Sequence, residues 1–156
     1  MAVAIAALIL GLAGAAQAQT TQFTATLTGS NETPAPGVLT GSYGSAVVNY
    51  DAATQTLSWV IDVWNMPSGT NNAHFHVGGP GIAGPTVVNI AFPAGISNDY
   101  RLTGSAGPAN LLVRGDQGIR SWEDLVQSLF GGQLYINIHS TVNPGGEIRG
   151  QVNRVQ

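Results

Sequence analysis

The stretch GQLYINIHSTVNPGGEIRGQV, residues 132–152, alternates apolar and polar residues along two runs that are separated by Asn, Pro and Gly. Successive side chains of a strand point to opposite faces, so Leu134, Ile136, Ile138 and Ser140 share one face and Tyr135, Asn137, His139 and Thr141 the other. On the return run, Ile148, Gly150 and Val152 alternate with Glu147, Arg149 and Gln151. Antiparallel pairing with both apolar sets on one side buries a complete face, which predicts a hairpin. The reading puts its loop at residues 142–146 and sets His139 across from Arg149.

The same period of two recurs upstream. QFTATLTG (22–29) sets Phe23, Ala25 and Leu27 against threonines, and residues 44–65 read as a second hairpin around an Asp51-Ala52-Ala53-Thr54 turn, with Leu57, Trp59, Ile61 and Val63 on one face. PTVVNIAF (85–92) and the run after Asn98 are further short β-rich pieces. One helix is predicted, in SWEDLVQSLFGG (121–132): Ser121 caps it, Asp124 completes a capping box, Gly131 stops it, and Leu125, Val126 and Leu129 share a side. The pattern is that of an antiparallel all-β sandwich or barrel with one short helix, in a single domain without internal repeats.

Composition narrows the function. Charged residues make up 8% of 156, there is no Lys, and the net charge is −3. Five scattered arginines form no basic stripe for phosphate backbones or anionic lipids, which argues against nucleic-acid and membrane-surface roles. The first residues, MAVAIAALILGLAGAAQAQ, are apolar and end in Ala16-Gln17-Ala18, the small-x-small pattern of a signal peptide. Residues 1–18 are therefore expected to be removed on export to the periplasm or outside, leaving 19–156. The absence of Cys leaves N and O donors, or Met66, for any metal site.

Only three histidines occur, and two of them lie one residue apart in NNAHFHVGGPGIAGP, residues 71–85. At i and i+2 of a strand His74 and His76 share a face, while Phe75 and Val77 take the core face. His139 falls off the core face of its own strand by the same test. Three neutral imidazoles on adjacent strands suit copper(II) or zinc(II), with a fourth position left for water or another ligand. Met66 is a possible axial ligand, although a loop or core position is the commoner place for it. The glycines and prolines of 78–84 read as a turn whose small residues keep the site open to solvent. Against chelation stands the commoner use of an HxH pair as solvated or hydrogen-bonded side chains. Arg149 across from His139 also opposes a bound cation, whereas Glu147 on the same face could neutralise it or accept a hydrogen bond in the outer shell. Asn31-Glu32-Thr33 fits a glycosylation acceptor, relevant only in a eukaryotic secretory pathway. Trp59, Trp64 and Trp122 read as core and rim. No Ser or Thr stands in a recognisable nucleophile context, and no carboxylate pair stands out.

LTGSNETPAPG (27–37), NAHFHVGGPGIAGPTVV (72–88) and the 132–152 stretch together resemble the chordin-type CHRD domain, over about residues 23–152. The resemblance implies an exported, immunoglobulin-like Greek-key β-sandwich whose signature is the HxH and the second-strand histidine, here His74, His76 and His139, with Glu147, Arg149 and Gly150 in the closing motif. A growth-factor role does not transfer, since the cysteine-rich modules that accompany the domain in chordin are lacking. The expected function is binding of a transition metal, copper before zinc, through the three histidines. A structural or adhesive module without metal is the alternative reading, and a copper redox protein similar to superoxide dismutase is a third. No protein partner is indicated.

Overall fold

The computed structural model describes residues 20–67, 69–92 and 98–156. The expected signal peptide, 1–18, lies outside the described residues. These residues form nine strands, β1 (Thr20–Thr28), β2 (Tyr43–Asp51), β3 (Thr56–Trp64), β4 (Thr70–Val77), β5 (Thr86–Asn89), β6 (Tyr100–Ala106), β7 (Leu134–Ser140), β8 (Ile148–Gln151) and β9 (Asn153–Arg154), and one α-helix, α1 (Trp122–Phe130).

All pairings are antiparallel, and the strands follow one path, β5-β4-β7-β8-β1-β2-β3-β6, with β9 beside β1. The ends of that path curl toward each other. Trp59 on β3 and Phe75 on β4, far apart in the strand order, meet edge to face at 5.2 Å inside one core. The all-β antiparallel class and the short helix stand as expected. The hydrogen bonds describe one continuous path, a nearly closed barrel or sandwich, and do not confirm the immunoglobulin-like Greek-key arrangement.

Alternation explains β1 to β3, where Phe23, Ala25, Leu27, Val48, Leu57, Trp59, Ile61 and Val63 are buried and the intervening residues are largely not. Each large apolar side chain so buried contributes about 1.5–3 kcal/mol. The Asp51 carboxylate accepts from the backbone N–H groups of Ala53 and Thr54 and tightens the β2–β3 turn. Helix α1 starts as expected, with Ser121 accepting from the Asp124 N–H and the Asp124 side chain accepting in return from Ser121 N–H. It buries Trp122, Leu125, Val126 and Leu129, while Phe130 at its end packs edge-on against Phe23 and Tyr50. The helix thereby lids one end of the core.

The hairpin of β7 and β8 forms, but two residues out of the expected register: Ile138 opposes Ile148, and Arg149 opposes Asn137 rather than His139. A slip of two residues keeps every side chain on its own face, so alternation cannot choose between these registers. The turn chooses. Ser140 Oγ accepts from the N–H groups of Val142 and Asn143, Gly146 N–H donates to Asn143 O, and Glu147 N–H donates to Ile138 O.

Strand β7 is buried on both faces apart from half-buried His139, and β8 is nearly so. Its non-core face is therefore covered rather than solvated. The segments 29–41, 78–85 and 141–147 lie over it and enclose a polar layer that contains the histidines.

Candidate metal centre

The strand pairings set the layer out in rows. His76 on β4 lies beside Tyr135 on β7, which lies beside Gln151 on β8; the next row is His74, Asn137 and Arg149. His139 follows Asn137 on the same face of β7, opposite Asn72. Directly paired side chains of antiparallel strands lie about 4.5–5.5 Å apart, and the i, i+2 spacing adds neighbours along each strand. This brings one ring nitrogen from each of His74, His76 and His139 within 4.8 Å of the others.

Backbone carbonyls orient two of the rings. His76 Nδ1 lies 2.9 Å from Gly84 O, and His139 Nδ1 lies 3.0 Å from Pro144 O. A carbonyl only accepts, so both rings carry their proton on Nδ1 and present a bare Nε2. His76 Nε2 is buried and has no partner among the described residues. His139 Nε2 faces His74 Nδ1 at 3.3 Å. Nitrogens bound at about 2.0–2.1 Å around one tetrahedral ion are separated by roughly 3.3 Å, so this pair already has the spacing of two ligands. Without an ion, His74 Nδ1–H donates to His139 Nε2, and His74 is the ring whose proton must move for an ion to enter.

Electrostatics favour the ligand form. Burial holds the pKa of all three histidines below the ordinary imidazole value, that of His76 at about 4, and the neighbouring rings depress His74 and His76 further. Neutral imidazole is the form that binds metal.

The loop after β4 covers the site rather than opening it. Gly84 O accepts from both His76 and the Tyr135 hydroxyl, and Gly84 N–H donates to that hydroxyl. A Cβ at Gly84 would sit 1.6 Å from Val77 O, so only glycine brings this carbonyl so close. His76 is consequently 9% exposed.

Of the other candidates, Arg149 is buried, 2% exposed, and donates to Gly79 O, Ile82 O and Thr33 Oγ1 with its guanidinium over the Tyr135 ring. Glu147 accepts from Thr40, Ser42, Ser140 and Asn143 and ties segment 29–41 to the β7–β8 turn. Burial raises its pKa, yet these donors together hold it below the ordinary value. Its hydrogen bonds thus go to hydroxyls and an amide, not to histidine. Met66 lies in the apolar core cluster.

Glu32 was legible only as part of a glycosylation triplet. It is buried, accepts from Asn137 Nδ2 at 3.4 Å, and has one oxygen without a partner among the described residues. Burial raises its pKa to about 7 against the pull of Arg149. The segment's missing apolar periodicity concealed it. A cleft of ≈ 280 Å³, walled in part by Glu32, Thr33, Pro80 and Arg149, lies beside this layer.

No curated protein and no solved structure matches the chain. The CHRD domain family model matches residues 23–152, a span that runs from β1 to the end of the paired hairpin and contains all three histidines. The chain belongs to the CHRD domain family.

Proposed function

We propose that this CHRD domain acts outside the cytoplasm as a binding protein for a transition-metal ion, copper in preference to zinc, through His74, His76 and His139. The observation that carries the reading is His76 Nε2: a buried, bare nitrogen without a partner among the described residues, beside two further imidazole nitrogens. Leaving a buried polar atom unpaired costs about 1–3 kcal/mol, which an ion would offset. The carbonyls behind His76 and His139 are the outer-shell acceptors that metal-ligating histidines use. Copper(II) ranks above zinc for nitrogen donor sites.

Titration of the metal-free domain, residues 19–156, with Cu(II) and with Zn(II) should give one equivalent bound, and a melting temperature that rises with metal and falls with EDTA. No binding of Cu(II), Zn(II) or, under anaerobic conditions, Cu(I) tighter than millimolar would sink the reading. The 3.3 Å contact of His74 with His139 supports a second one, a structural or adhesive module in which these rings only hydrogen-bond. That module would melt at the same temperature with chelator or metal.

A further inference from the structure

We infer that the triad selects a monovalent ion, Cu(I), over a divalent one, because a buried guanidinium without an ion-pair contact lies behind it. The inference rests on the proposed metal site and adds the charge of the ion it takes.

The guanidinium carbon of Arg149 is 3.4 Å from the centre of the Tyr135 ring, and the His76 ring lies parallel to the same phenol at 4.9 Å and 10°. Two flat groups at these distances cannot share one face, so the phenol separates them. Arg149 is thus one ring removed from a ligand imidazole. Its acceptors are all neutral: two backbone carbonyls and a hydroxyl. Among the described residues its charge has no carboxylate within 4.0 Å. Two buried acids face this layer. Glu32, the nearer in effect, is half protonated near neutral pH, and the charge of Glu147 is met by four side-chain donors.

The candidate ligands add no negative charge, since the group comprises three histidines and no carboxylate. An ion there meets a fixed positive charge with only neutral donors around it. At a separation of about 8 Å and an effective dielectric of about 20, each unit of charge on the ion weakens binding roughly tenfold to thirtyfold. A divalent ion bears that penalty twice. Cu(I) and Zn(II) share a filled d shell and accept the same tetrahedral or trigonal donors, so comparing them isolates charge from d-electron preferences.

The test measures Cu(I) and Zn(II) affinities of the same metal-free domain by competition with chromophoric chelators, under anaerobic conditions for Cu(I). Arg149→Met removes the charge and keeps the bulk; it should raise Zn(II) affinity about tenfold more than Cu(I) affinity. Arg149→Lys keeps the charge and should leave the ratio within about twofold of the parent. An unchanged ratio in Arg149→Met, or an equal shift in Arg149→Lys, overturns the inference while leaving a metal-binding protein. Binding of neither ion by the parent overturns the metal reading and this inference together. Should Arg149→Met not fold, Glu32→Gln at pH 8.5 decides: loss of that carboxylate should move the ratio several-fold further toward Cu(I), and no movement overturns the inference.

Discussion

At the scale of the residue, the three histidines are chemically unequal. His76 is packed between its carbonyl acceptor and the Tyr135 ring, whereas His74 finds its partner in another histidine. In the metal-free protein His76→Ala removes a buried hydrogen bond and a ring stack and should cost about 1–3 kcal/mol, measured by urea unfolding. His74→Ala should cost under about 1 kcal/mol, because its side chain is half-buried and, among the described residues, bonds another imidazole and no backbone carbonyl. Both should abolish metal binding to a similar degree, and the double variant should be no worse than either, since one lost ligand already opens the site. Equal stability losses from the two variants would mean that the covering loop does not hold His76. Alternation correctly set these rings off the apolar face, but it did not show that this face is itself covered.

At the scale of the element, the strap from Gly78 to Pro85 joins the site to the barrel. It holds His76 and Tyr135 through Gly84, and Arg149 through Gly79 and Ile82. Gly84→Ala forces a backbone shift away from Val77 O and releases both rings. The variant should lose about 2 kcal/mol or more of stability in urea unfolding, with metal affinity at least tenfold weaker in the titration above; an unchanged affinity would show that the strap does not orient His76. The Gly/Pro composition of this segment marked it as a turn. Which carbonyl it would deliver, and to which ring, depended on the β4–β7 register, which no local signal carries.

At the scale of the whole molecule, two buried groups of opposite kind shape the response to pH. Glu32 binds its proton more tightly folded than unfolded, so its stabilisation is complete below about 4.5, its unfolded value, and is lost as pH rises through about 7. His76 is the reverse: its stabilisation is complete above about 6.5 and is lost as pH falls toward about 4. Between pH 4.5 and 6.5 the two slopes oppose each other. Glu32→Gln removes the first, so the stability of the metal-free variant relative to the parent, followed by thermal melting, should increase from pH 4.5 to about pH 7 and level off above it. A difference that stays constant with pH would show that Glu32 titrates at its ordinary value.

What the sequence by itself determined is everything carried by local periodicity: which residues of β1, β3 and β7 face the core, where α1 begins and stops, and that the histidines share a face with one another and not with the apolar set. Period-two alternation specifies faces because a strand's geometry imposes it residue by residue. It is blind to a slip of two, so the pairing of Arg149 with Asn137 and not His139 was left to the turn geometry of the folded hairpin. It is equally blind to what covers a face. The burial of Glu32, Glu147 and Arg149 arises from segments 29–41, 78–85 and 141–147 closing over β4, β7 and β8, contacts between residues as many as 118 positions apart. Only tertiary structure decided those, because desolvation and hydrogen-bond partners belong to the assembled layer and to no stretch of the chain alone.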